Sequence, residues 1–292
     1  MVVIPTSELA DPASLERLWT GAAWSEGPAW IPTTARLRWS DVVGNRILEF
    51  DAATGEVAEY ARDVEYVNGR TLDRHGQVIQ CSHGRRRVER DVDGVVTAIV
   101  NGFDGHRFNS PNDVVVTSDG VIWFTDPPYG IRADGREGHP GEEEYGGCFV
   151  FRVDETTGDL TAEITDMVHP NGLAFSPDES LLYVADTSGP LNIRVYDIVG
   201  GRVVAGSGRS FAAVRPGASD GFRVDVEGRI WTSSGDSVQV LSTSGEVIAK
   251  FEVPETVANV CFGGADGRDL YITATTSLYR LRTTTTGVGG RQ

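Results

Sequence analysis

Ser110-Pro111-Asn112-Asp113-Val114-Val115-Val116-Thr117-Ser118-Asp119-Gly120-Val121-Ile122-Trp123-Phe124-Thr125 is the stretch whose reading decides the fold. A polar pair leads into a short β-branched run, Ser118-Asp119-Gly120 turns the chain, and a second β-branched and aromatic run follows. That is the pattern of an antiparallel hairpin. After a long loop, Cys148 to Val153 reads as a third strand, and the turn Glu155 to Gly158 leads to a fourth.

Outward from this unit the same order recurs. A polar residue, usually followed by a small one, precedes an alternating apolar run at Glu26-Gly27, Asn68-Gly69, Asn112-Asp113, Asn171-Gly172, Asp220-Gly221 and Asn259-Val260, with spacings of 42, 44, 59, 49 and 39 residues. In the fifth copy the strands read Phe222 to Val226, Arg229 to Ser233, Val238 to Leu241 and Val247 to Phe251. Helical periodicity is almost absent. Six four-stranded units of this length predict an all-β, six-bladed β-propeller occupying residues 1–292 as a single domain. The sixth unit shows only three strands, so Ser14 to Trp19, within an N-terminal closing segment 1–24, is expected to complete it and close the ring. Residues 284–292 read as a disordered tail.

The formal net charge of −16 opposes nucleic acid and anionic membranes, which need clustered Lys and Arg. No apolar run approaches the roughly 18 residues of a membrane span. The acidic N-terminal region carries Glu8, Asp11 and Glu16 and does not read as a secretory leader. Cys81, Cys148 and Cys261 are far apart and odd in number, which suits neither a disulfide framework nor a thiolate metal site. The expectation is a cytoplasmic protein; the sequence does not specify an oligomeric state.

Antiparallel pairing puts the entry to each innermost strand and the loop between strands two and three on one face. Glu26, Asn68, Asn112, Asn171, Asp220 and Asn259 therefore ring one mouth of the channel. A single Asn-Gly pair is ordinary turn chemistry; six polar residues in register read as a functional ring. Two carboxylates and up to four amide carbonyls favour a hard divalent cation: calcium, magnesium or manganese, with zinc also accommodated. Without a cation, Glu26 and Asp220 would repel one another and one would tend to hold a proton. The Gly-rich, charged segment Tyr129 to Gly147 accounts for the widest spacing and is expected to fold over the mouth.

Ser25-Glu26-Gly27-Pro28, Ser110-Pro111-Asn112-Asp113, Phe124-Thr125-Asp126-Pro127-Pro128-Tyr129-Gly130, Pro170-Asn171-Gly172-Leu173, Asp220-Gly221-Phe222 and Phe262-Gly263-Gly264 together resemble the gluconolactonase, senescence marker protein and luciferin-regenerating enzyme family of six-bladed propellers. The resemblance spans nearly the whole chain. It implies a metal-dependent hydrolase that opens a lactone, often of a sugar acid. Glu26, Asn171 and Asp220 would be metal ligands, with Asn112 as a fourth ligand or a substrate contact. Ser110 stands where animal-type relatives carry Arg.

On this reading calcium is the foremost cofactor, Asp220 is the general base, and Tyr129, Asn68, Asn112 and Asn259 contact the substrate. Asp113 and Asp126 are further candidates for proton transfer, each equally suited to a structural hydrogen bond. His83, Arg85 and Arg86 form a rim cluster that would either attract an anionic group or serve as a solvated turn or a salt bridge between blades. His106 and His169 read as loop residues. No Gly-Xaa-Ser-Xaa-Gly elbow opens a helix, and no Gly-rich stretch reads as a phosphate loop. The rival readings are a phosphotriesterase-like hydrolase and a non-catalytic calcium-binding propeller that presents a protein interaction face.

Overall fold

The computed structural model describes residues 5–189 and 191–289. Six small antiparallel sheets stand in a ring. Their innermost strands are Ser25–Ile31, Val67–Leu72, Val114–Val116, Pro170–Phe175, Phe222–Val224 and Val257–Gly263, and each packs on the next around a central channel. Each blade then runs outward through strands paired in chain order. Among the described residues the only helical elements are three single 3-10 turns, Thr6–Glu8, Pro12–Ser14 and Tyr129–Ile131, and no helix is long and apolar enough to cross a membrane.

Closure follows the expectation. Glu16–Thr20 is the outermost strand of blade six and pairs with Ser277–Arg282, aided by an ion pair from Glu16 to Arg280 at 2.8 Å. Tying the two chain ends into one sheet removes an open edge. Of the tail expected to be disordered, residues 290–292 lie outside the described residues, whereas 284–289 are laid across blade five. Thr286 O accepts Val226 N–H, Val288 N–H donates to Val224 O, and Thr285 is buried. The Thr-rich composition gave no sign of this, because the segment is held by backbone pairing together with the packing of a single apolar side chain, Val288. Blade four departs from the four-stranded plan: Arg202–Val203 folds back on the end of Asn192–Val199 through the Gly200-Gly201 turn, where both glycines have positive φ.

The core lies between blades. Apolar layers join blades two and three through Ile79, Val88, Phe124 and Phe151, and blades six and one through Tyr271, Leu278, Trp30 and Trp39. Trp39, Trp123 and Trp231, all from second strands, are completely buried. Each contributes roughly 3 kcal/mol of burial. Between blades one and two the apolar clusters are small, and a polar network supplements them. Arg38 lies over the Tyr60 ring at 3.6 Å and pairs with Glu49 at 2.6 Å, while Tyr60 OH donates to Asp91 at 3.3 Å. The three cysteines are buried and unbridged.

Candidate functional site

The polar-then-glycine signature has a steric cause at the channel mouth. A Cβ on Gly27 would stand 2.2 Å from Asn68 O, one on Gly172 2.3 Å from Asp220 O, and one on Gly221 2.0 Å from the Asn259 amide carbon. Only glycine lets adjacent inner strands approach this closely. The gap is stapled by backbone bonds from Gly69 N to Asn112 O (2.8 Å), Gly172 N to Asp220 O (2.9 Å) and Gly221 N to Ala258 O (2.8 Å). The preceding residue in each pair is thereby held at the rim of a narrow ring.

A second repeated device aims the ring residues. Asp41, Asp126 and Asp186 end the second strands of blades one, three and four. Their carboxylates accept the N–H groups of Ala23 and Trp24, Asn109 and Ser110, and Val168 and His169, at 2.7–3.1 Å. These donors lie three and two residues before Glu26, Asn112 and Asn171, so one carboxylate fixes the entry of each inner strand at the same offset. Asp126 is therefore a structural anchor, completely buried and also bonded by Tyr145 OH. Of the two roles open to it, proton transfer or a structural hydrogen bond, it takes the second, its carboxylate accepting from Asn109 N–H, Ser110 N–H and Tyr145 OH outside the cup.

Glu26, Asn68, Asn112, Asn171 and Asp220 converge on a cup of about 190 Å³, completed by Trp24, Tyr129, Arg132, Glu137 and Thr187. Its oxygen donors come from five different blades. Glu26 is buried, and its Oε2 accepts Gly27 N–H at 2.9 Å and the Asn259 amide at 3.2 Å. Burial and then the charge of Asp220 push its carboxyl well above the usual range. Asp220 keeps part of its surface open to the cup; desolvation and then the charge of Glu137 raise it to about 7, while a hydrogen bond with Glu26 opposes the rise. The two carboxyls thus share a site in which burial and like charge favour holding a proton.

The five ring residues fit a hard divalent cation: Glu26 and Asp220 offer carboxylate oxygen, Asn68, Asn112 and Asn171 can each present an amide oxygen, and a cation relieves the carboxylate conflict. Among the described residues no three His, Cys, Asp or Glu side chains cluster as ligands. The site therefore consists of two carboxylates complemented by amides, which is unlike a zinc site of His and Cys.

Tyr129 reaches the cup from the 3-10 turn, its hydroxyl bonded to Thr187 and its ring edge-on to His169 at 5.5 Å. Burial raises the phenol to about 12. Ser110 pins this loop, donating to Pro127 O at 2.5 Å and accepting Gly130 N–H at 2.9 Å. The segment after Tyr129 lies over the mouth as expected and delivers Arg132 and Glu137 to it. Arg132 stacks over the Tyr129 ring at 4.4 Å, and Arg136 lies over Trp24 at 5.9 Å.

One expectation is corrected and two open readings are decided. Asn259 does not line the cup: both ends of its amide are engaged below, with Nδ2 on Glu26 and Oδ1 accepting Val260 N–H at 2.8 Å. Asp113 is also beneath the cup, 3.7 Å from the buried guanidinium of Arg223. The His83–Arg86 cluster is not an open anion site, because Arg85 is bound to Val64 O and Glu89, and Arg86 to Phe108 O and Glu142 O. Sequence reasoning missed Trp24, Thr187, Arg132 and Glu137 as lining residues. Trp24 was marked by its place two residues before Glu26, and Thr187 by following the anchoring Asp186.

A six-bladed propeller with an oxygen-lined cup at one mouth defines the class: a small-molecule site assembled from all parts of the ring. A family model described as the SMP-30/gluconolactonase/LRE-like region matches residues 24–276, and the chain belongs to that family. It is 30% identical to a gluconolactonase of Zymomonas mobilis, covering 90% of this chain and 80% of the relative, and 30% identical to the pentonolactonase XacC of Haloferax volcanii, covering 87% and 82%. Among solved structures, XC5397 of Xanthomonas campestris, described as a gluconolactonase, superposes with a TM-score of 0.87 at 38% identity, covering 92% of this chain and 89% of that one.

Proposed function

We propose that the chain is a metal-dependent lactonase acting on a sugar-acid or related small lactone. The observation that carries the reading is the convergence of Glu26, Asn112, Asn171 and Asp220 on one small cup, with two carboxyls too close and too buried to be ionised without compensation. The gluconolactonase and pentonolactonase relatives support the reaction class. A divalent cation held by those four side chains, calcium foremost, supplies Lewis-acid polarisation of the lactone carbonyl.

The chain's own residues do the rest. Asp220 accepts a proton from the attacking water as oxygen adds to the carbonyl carbon, and the proton passes to the ring oxygen as the C–O bond opens, leaving a hydroxy acid. Glu26 is held by Gly27 and Asn259, so its carboxylate stays aimed at the cup. Tyr129 remains a phenol at neutral pH and, with Thr187, orients the substrate. Trp24 supplies an apolar wall, while Glu137, Arg132 and Asn68 offer partners for hydroxyl groups.

The test is hydrolysis of a lactone panel by chelated and by calcium-, zinc-, manganese- or magnesium-loaded protein, with Asp220→Asn as control and one phosphotriester included. Lactone turnover that returns with metal and vanishes in the variant is the expected result. Turnover of the phosphotriester alone, or a cation that raises thermal stability without any turnover, would overturn it.

A further inference from the structure

His83 is completely buried beneath the cup, although its place in a rim loop suggested solvent. Its Nδ1 lies 3.0 Å from Glu137 O, in the segment over the mouth. Its Nε2 lies 3.3 Å from Asn68 Nδ2 and 3.4 Å from Asn112 Nδ2. A carbonyl oxygen only accepts, so Nδ1 carries the hydrogen, and in the neutral ring Nε2 is then bare and only accepts. Both amides must therefore turn their NH₂ groups to the imidazole. Because the amide is planar and forked, the oxygen of each is directed away from His83. The opposite tautomer would turn both oxygens to the ring and leave NH₂ groups for the cup, a surface that repels a cation.

We propose that His83 is a positioning residue that holds Asn68 and Asn112 with their amide oxygens available to the cup and fastens the overlying segment to the same ring. This rests on the cation-site reading above. The second half of the role has its own support. Gly130 sits so close over His83 that a Cβ there would meet the His83 Cβ at 2.5 Å, and Glu137, which lines the cup, hangs by its carbonyl from Nδ1. One imidazole thus joins two blades of the ring to the segment that covers them. Its relation to the ligands is that of the hydrogen-bonding partners that orient ligating groups around metal sites.

Two isosteres separate the roles. His83→Asn places an amide N–H near the Nδ1 position, keeping the bond to Glu137 while removing the acceptor for both ring amides. His83→Gln places an oxygen near the Nε2 position, keeping that acceptor while losing the bond to Glu137. By calorimetric titration with calcium, His83→Asn is expected to bind about 10- to 100-fold more weakly than wild type. His83→Gln should retain near-wild-type affinity and show its loss in KM for the lactone. Two-bond ¹⁵N–¹H spectra of the wild type should show hydrogen on Nδ1 and a bare Nε2, a signature that needs no cation and no variant to fold. Hydrogen on Nε2, or a folded His83→Asn that binds calcium as tightly as wild type, would overturn the inference. A wild type that binds no divalent cation while showing the Nδ1–H tautomer would overturn the cation-site reading, and with it the role of His83 toward a cation.

Discussion

Replacing Asp220 by Asn removes one of two carboxyls crowded in the cup, and its effect on stability depends on pH. The Asp220 carboxyl is moved from its ordinary 3.8 to about 7 by desolvation and then by Glu137. An acid whose folded-state pKa is raised binds more protons folded than unfolded, so it favours folding at low pH and loses that advantage as pH climbs from about 4 to about 7. At 1.36 kcal/mol per pH unit, full ionisation corresponds to on the order of 4 kcal/mol. Part of Asp220 is open to solvent in the cup, which lowers the figure to about 2 kcal/mol. Asn carries no such penalty. In chelator, urea unfolding at pH 4.5 should therefore find wild type and Asp220→Asn alike, and at pH 8 the variant should be the more stable by about 2 kcal/mol. Saturating cation should reverse the order, since a ligand at 100 times its Kd stabilises the wild type by about 2.7 kcal/mol. A variant less stable than wild type at pH 8 in chelator, or a difference that does not change with pH, would refute the reasoning.

Gly172→Ala should lower stability by about 1–3 kcal/mol in thermal or urea unfolding, because its Cβ would press 2.3 Å from Asp220 O and the inner strands of blades four and five would have to part; a wild-type midpoint would show that the close approach is dispensable. Asp186→Ala strips the acceptor from Val168, His169 and Ser188 N–H and should cost about 2–4 kcal/mol, with faster hydrogen exchange at those amides. Unchanged exchange there would remove the anchoring role. Arg223→Met, which leaves Asp113 buried beside an apolar chain, should cost about 3–5 kcal/mol, and adding Asp113→Leu should recover much of that loss. A double variant no more stable than the single one would show that the pair is not coupled.

The repeat carried much of the fold on its surface. Val114 to Val116 and Cys148 to Val153 emerged as strands nearly to the residue, because alternation and Asp-Gly turns are local properties of the chain. The ring was legible for a related reason: once the blades are counted, the register of each blade places its first polar residue, so Glu26, Asn68, Asn112, Asn171 and Asp220 could be named in advance. Asn259 misled because the register that places it at the mouth does not report where its amide is engaged. Its amide is instead spent on Glu26 and its own strand, a contact 233 residues away in sequence that no local pattern encodes.

What the sequence alone determined is the set of decisions made by neighbours along the chain: strand alternation, turn chemistry, the sixfold repeat, the N-terminal strand that completes the last blade, and the oxygen-rich character of the mouth. What only the tertiary structure decided is how distant groups share space. The Asp anchors reveal their purpose only when the strand end and the entry loop are brought side by side. His83 reads as a solvated loop histidine until two ring amides and the Glu137 carbonyl close around it. Periodicity reports which face a side chain takes, whereas hydrogen-bond partnership and desolvation depend on the separation of atoms from different blades, and that separation exists only after the ring has closed.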